Sequence, residues 1–473
     1  MLSLMPGQDW FRTTVARHLA NTCSPTVVFG LVLFLALAGS ICTAQDISSF
    51  PPDPPFPEVN PNLGNLLQEA DQSASRGDFI ESLKTRESVI TLAQNPLMRN
   101  QAAEGWARYG EGRDFASLNQ IDKALAAEKH AIQIFDELHF TVGKFEALVS
   151  RGTIQLQAND PGADATFQQA LDLARAETKW PAGMSGAISA AGSSLTDLQP
   201  RWAKEFLKAQ IALCDKFAKP PAYEKASAEG NLARIEMRQG DYEEAARHLQ
   251  AAREIDSKTV QTLWPNLARM ESERVNAERS NDAAIQQQLQ AQEQVLQNSI
   301  STSANYALMS LNGLIAIDIN RGYIAAAREK LSQADAEIEK YHLNSAMSSD
   351  TLLQIANLAM LTGELQNAGS NLRLTLSDAS HAGDFSTMTR VLVGLGRLSL
   401  LMQNIASAGD YLQVARELIN RVDPEIYNRE MEVSGLVAAR ESRNASSSEK
   451  QRRERATAQK DLNAAILFYR THG

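Results

Sequence analysis

Apolar residues recur along most of this chain at the spacing of one helix face, and the helices they predict come in pairs. The clearest pair lies between Ala226 and Asp256. Leu232, Ala233 and Ile235 supply the apolar contacts of its first helix. Ala245, Leu249 and Ala252 recur at i, i+4 and i+7 in the second, on one face of a 3.6-residue helix. Between them, Gln239-Gly240-Asp241-Tyr242 reads as a tight turn. Glycine takes the left-handed conformation that ends a helix, aspartate caps the next one, and Tyr242 fills the wedge beside the turn. Ala233 and Ala245 are small where the two backbones must approach.

The same pattern returns at a steady interval. Taking Ala245 as reference, small residues of equivalent position are Ser82, Ala124, Ala163, Ala203, Ala284, Ala326, Ala368 and Ala408. The steps are 42, 39, 40, 42, 39, 42, 42 and 40 residues. Gly77-Asp78-Phe79 repeats the turn, and Phe167, Ala170 and Leu171 repeat the second helix. Gly363-Glu364-Leu365 leads to Ala368 and Leu372, and Leu395-Gly396 precedes Asn404, Ala408, Leu412 and Ala415. A hairpin of this kind cannot bury its apolar face alone, so a registered series predicts stacked units packing on their neighbours. No strand-like alternation persists, and 473 residues are too many for one ordinary packed core.

The anchor stretch closely resembles the tetratricopeptide repeat, through Leu232-Ala233, Gly240-Asp241-Tyr242, Ala245, Leu249 and Ala252. Glu229 departs from it, standing where that family carries tryptophan. A step near 41 rather than about 34 residues adds roughly one turn to each helix. That is similar to the longer-armed variety found in sensor regions of large bacterial regulators. HEAT-like repeats share the period but lack the Gly-Asp-Tyr turn. The resemblance implies an all-α, right-handed solenoid of about nine to ten hairpins. It also implies a concave groove lined by positions two, five, nine and twelve of each first helix. Those positions are Ser227, Gly230, Arg234 and Met237, with Arg238 beside them; Asp350, Leu353, Asn357 and Met360; and Arg390, Val393, Arg397 and Leu400. Arginine, amide and flexible methionine suit an extended protein or peptide segment. The carboxylate clamp of some family members needs Lys and Asn at positions five and six, and Gly230-Asn231, Leu353-Gln354 and Val393-Gly394 do not supply it.

The N-terminus reads differently. Arg12 and Arg17 precede an apolar run from Val27 to Ile41 that ends in Cys42-Thr43-Ala44. A cleaved export signal ending before Gln45 fits. So does an uncleaved membrane tether, since Pro25 to Ala44 is long enough to span a bilayer. A lipidated Cys42 fits less well, because Ile41 is not small. The organisation expected is a signal peptide or anchor over 1–44 and a Pro-rich linker over 45–62. Repeats follow over 63–422, and degenerate capping helices over 423–473 with Leu462, Ala465, Ile466 and Tyr469 as their apolar stripe.

Net charge is −10, which argues against general nucleic-acid binding. Lys450-Gln451-Arg452-Arg453-Glu454-Arg455 is a local basic exception, read as a solvated helix face. Three cysteines, two of them in the leader, exclude a disulfide scaffold, and Cys214 sits among core residues. Seven histidines show no metal-ligand spacing, and no nucleophile elbow or phosphate loop is present. Gly394-Leu395-Gly396 and Gly110-Glu111-Gly112 are read as close helix packing, Glu243-Glu244 as an outward acidic first turn, and Asn444-Ala445-Ser446 as a chance sequon. The expectation is an exported, non-enzymatic scaffold without metal or cofactor. A tethered envelope component and a small-ligand sensor arm are the alternatives.

Overall fold

A computed structural model describes residues 58–472 except 178–182, 197, 218–221, 281–282, 344, 420–423 and 445–446. The leader over 1–44, most of the linker and the Asn444-Ala445-Ser446 sequon lie outside the described residues, as do the side chains of Ala284 and Tyr469.

Eighteen helices and no strand make up the described residues, arranged as nine helix hairpins. The first four pairs are α1 Pro61–Ser75 with α2 Phe79–Gln94, α3 Gln101–Ser117 with α4 Ile121–Glu137, α5 Thr141–Gln157 with α6 Ala163–Ala176, and α7 Met184–Leu195 with α8 Pro200–Lys216. In the middle, α9 Ala222–Arg238 pairs with α10 Tyr242–Ser280, and α11 Ala283–Arg321 with α12 Ile324–Tyr341. The last three are α13 Ser345–Thr362 with α14 Leu365–Ala382, α15 Phe385–Leu401 with α16 Ile405–Ile419, and α17 Pro424–Asn444 with α18 Ser448–His472. Helix α1 begins at Pro61, two residues inside the expected linker, because proline's fixed φ suits the first helical position.

The turn inside seven of the nine hairpins has one recurring chemistry. Gly77, Gly240, Gly322 and Gly363 take positive φ, and Asn119, Asn159 and Gln403 occupy the same slot with φ of 58, 53 and 63°. The amide one residue on reaches back to the carbonyl five residues before it: Asp241 N to Glu236 O at 2.9 Å, Glu364 N to Ala359 O at 2.8 Å, and Asn404 N to Ser399 O at 2.8 Å. This closes the orphan carbonyls of the first helix. Asp78 and Asn404 then cap the second helix, accepting from the amides of Glu81 and Ser407.

A small residue five places after most of these turns is buried at the hairpin crossing. Ser82, Ala124, Ala245, Ala368 and Ala408 are each fully enclosed, and Ala163 and Ala203 are also buried. Two positions of the expected register need correction. In the unit of Gly322 the enclosed residue is Ala327, and Ala326 is only half-buried. The run Ala325-Ala326-Ala327 is uniform in sequence, so only the distance from the turn selects one of them. The unit expected at Ala284 is not a separate hairpin. Helices α10 and α11 each run 39 residues, about 58 Å, α10 through the junction where that unit would begin and α11 through the one where it would end. Those junctions, Asp256-Ser257-Lys258-Thr259 and Asn298-Ser299-Ile300-Ser301, contain no glycine or proline to stop a helix. The two ends pair with each other instead, Val260 and Leu267 packing on Leu296, Ile300 and Ala304. At the base of this long hairpin Arg253 joins three helices, donating to Ala307 O at 3.0 Å and pairing with Glu337 at 2.6 Å.

The largest apolar cluster runs from α5 to α9 around Phe145, Phe167 and Phe206, and a second runs from α13 to α17 around Leu372, Leu392 and Leu412. Both glycine pairs serve close packing. A Cβ on Gly110 would stand 2.0 Å from the Arg86 guanidinium, and one on Gly396 3.1 Å from Leu412. In the final hairpin Ala465 is buried, but Ile466 is 48% exposed, so the expected stripe turns away from the core at that residue.

Candidate functional site

The nine first helices, α1, α3, α5 and so on to α17, touch one another in unbroken succession, so they form one rank. Close contact between consecutive second helices is seen at α6 and α8. Measured from the positive-φ turn residue, positions two, five, nine and twelve fall 13, 10, 6 and 3 residues earlier. Along α9, α11, α13 and α15 this gives two different kinds of position.

Positions two and nine are open. Ser227, Met309, Arg234 and Arg397 are exposed, and Asp350, Arg390, Ala316 and Asn357 are half-buried. Positions five and twelve turn into the packing. Asn312, Leu353, Val393, Met360 and Leu400 are buried, while Gly230, Met237 and Ile319 are half-buried. Met360 therefore belongs to the apolar cluster of the later hairpins rather than to an open groove. Asn312 Nδ2 donates to Thr351 Oγ1 at 3.1 Å and fixes α11 against α13. Arg390 pairs with Asp350 at 2.9 Å, joining two predicted groove positions on neighbouring helices. Arg238 lies half-buried at the end of α9. The α9 residues are not beside those of α13, because α11 stands between them. Met309, 45% exposed at position two of α11, lies in the one of these four units to which the sequence pattern assigns no groove positions. Counting back from Gly322 would have found it.

A second feature lies on the other side of α9. Glu229 and Glu236 are seven residues apart on that helix, roughly 150° around it from Ser227 and Arg234. They face a cavity of about 570 Å³ between α8, α9 and α10. Helix α8 contributes Lys204 and α10 contributes Glu244, Arg247 and His248. His248 Nδ1 stands 2.5 Å from Glu229 Oε2, and Nε2 stands 3.7 Å from Glu236 Oε2. Lys204 Nζ lies 3.6 Å from the other Glu236 oxygen. Arg247 pairs with Glu244 on the rim. Burial raises the Glu236 carboxyl above its ordinary value, opposed by His248 when its ring is protonated and by Lys204. Glu229, the departure from the repeat pattern, is thus the partner of a histidine across the hairpin. Glu244 turns into this cavity, while Glu243 stays outward and exposed.

Elsewhere, Cys214 is buried and its thiol is pushed up to about 12, as expected of a core residue. Among the described residues no helix is long and apolar enough to cross a membrane, and the apolar run near the N-terminus lies outside them.

No family model matches the chain, and no curated protein matches it. Solved structures do. The apo form of the quorum sensor NprR from B. thuringiensis matches over 87% of this chain and 99% of its own, at 11% identity and a TM-score of 0.40. A Rap protein complexed with Competence and Sporulation Factor matches over 78% of this chain and 99% of its own, at 14% identity and a TM-score of 0.35. A tetratricopeptide repeat protein from Parabacteroides merdae matches over 70% of this chain and 100% of its own, at 11% identity and a TM-score of 0.29.

Proposed function

We propose that this chain is an interaction scaffold that holds a protein or peptide segment along its rank of first helices. The observation that carries this reading is the continuity of that rank together with the open side chains at positions two and nine. Arg234, Met309 and Arg397 offer charge, polarizable apolar surface and charge again on successive parts of one face. An extended segment satisfies its backbone and acidic groups on arginine, and its apolar side chains on methionine.

The reading includes export. The basic and apolar leader directs the repeats across a membrane, with cleavage before Gln45, so the partner belongs to the envelope or the exterior. The experiment is mild crosslinking in the native envelope, then mass spectrometry of what co-purifies, with the N-terminus sequenced from the same sample. A few stoichiometric protein partners are expected, lost on Arg234→Glu or Arg397→Glu and kept on Glu243→Gln. Partners indifferent to both arginine changes would overturn binding on this face. An N-terminus ahead of Gln45 in the membrane fraction would overturn cleavage.

A further inference from the structure

We propose that His248, Glu236 and Glu244 form a binding site for one divalent transition-metal cation, with Glu229 orienting the histidine. The site is built from the two helices of the anchor hairpin and lies away from the proposed partner face.

The geometry begins with the tautomer. Glu229 accepts at Nδ1 over 2.5 Å, so the ring proton sits there and the Nε2 lone pair points onward. What it meets is Glu236 Oε2 at 3.7 Å. Two acceptors face each other at a distance too long for a hydrogen bond. It is close to the roughly 3.3–3.5 Å that separates two donor atoms on one tetrahedral zinc ion. Glu236 is 3% exposed, and its Oε2 has no hydrogen-bond partner. A buried carboxylate oxygen left this way is costly unless a cation or proton meets it.

A third donor is close by. Each of His248, Glu236 and Glu244 offers one atom within 4.8 Å of the others, the one such group among the described residues. Glu244 and His248 are four residues apart on α10, so both project on one helical face. The Glu244 side chain is 46% exposed and can close the remaining gap by changing rotamer, releasing Arg247 to solvent. Lys204 stays on the second oxygen of Glu236 at 3.6 Å and keeps that carboxylate oriented. The carboxylate behind the histidine is the arrangement that fixes ring orientation and raises basicity at metal sites. Three carboxylates against Lys204 and Arg247 leave a net negative charge for a dication to neutralise. One imidazole with carboxylate oxygens suits zinc and its first-row neighbours better than calcium or magnesium.

The test is titration calorimetry of Zn²⁺ into the full chain after chelator treatment and desalting. One equivalent is expected to bind. Glu229→Gln should weaken it about 10–100-fold, and His248→Gln and Glu236→Gln by more. Circular dichroism checks that each variant folds, and the half-exposed Glu244→Gln serves if the buried ones do not. Co²⁺ in place of zinc should give the visible absorption of a four-coordinate nitrogen and oxygen site. No stoichiometric uptake, or uptake unchanged in Glu244→Gln and Glu229→Gln, overturns the proposal. So does a His248 ring that nitrogen NMR shows doubly protonated and unmoved by zinc, since a bridging imidazolium then fills the gap.

Discussion

Asp256 shows how one residue can set the pH response of the anchor hairpin. It continues the stripe of Ala245, Leu249 and Ala252 at i+11, so the helix carries it into the interior. Asp256 is 3% exposed, and desolvation pushes its carboxyl up to about 7. The folded chain holds this proton up to that pH, while the unfolded chain loses it near 4. Stability is therefore lost as pH rises from about 4 to about 7 and is level above. Asp256→Asn should remove this part of the slope and stabilise the protein at pH 8 by about 2–4 kcal/mol. Chemical denaturation at pH 5 and pH 8 checks it; an unchanged difference between the two would refute it. The alanine at the crossing is governed by volume instead. Ala245 is enclosed by Ala233, Leu249, Leu314 and Ile317, so Ala245→Leu should cost about 1–3 kcal/mol by overpacking. The outward Glu243→Gln should change stability little, and equal effects would place the crossing elsewhere. Much of this scale was legible. Glycines, caps and enclosed alanines announce themselves, because each answers to its own few neighbours. The Glu229–His248 pair did not. Its members are 19 residues apart on two helices, and only the crossing angle of the hairpin brings them together.

At the scale of the element, the turn residue decides whether an apolar stripe is one helix or two. Between hairpins, where His139, His342 or Gly383 takes positive φ, the chain reverses; at Asp256–Thr259 and Asn298–Ser301, the equivalent junctions, α10 and α11 run on. A period near 41 is satisfied either way, so the count of apolar positions could not separate two short hairpins from the flank of one long one. The positive-φ slot inside a hairpin also tolerates residues other than glycine at some cost. Gln403 occupies it with φ of 63°, where a Cβ is strained. Gln403→Gly should therefore raise stability by about 0.5–1 kcal/mol, the relief outweighing the added freedom of the unfolded chain. Thermal unfolding reads this directly, and a lower midpoint would show that the Gln403 side chain has a stabilising contact.

For the whole molecule, what matters is which face each first helix presents. Arg234 and Arg397 lie on α9 and α15, with α11 and α13 between them. They share no partner, so their effects on binding one extended segment should add. The Arg234→Glu, Arg397→Glu double variant is expected to lose affinity by the product of the two single losses, measured by titration against the captured partner. An affinity loss no larger than that of one single variant would mean that the segment engages only one end of the rank.

The sequence by itself determined that the described chain is helical, that the helices pair, where most hairpins turn, and most of the small residues that are enclosed. These depend on short-range rules: periodicity, caps and the backbone freedom of a few turn residues. Only the tertiary structure decided which of the four groove positions remain open, that two units merge into the 39-residue hairpin, and that Glu229, Glu236, Glu244 and His248 share one cavity. Those outcomes depend on the rotation of each helix against its neighbours. That rotation is set by packing summed over many residues, and no single stretch of sequence records it.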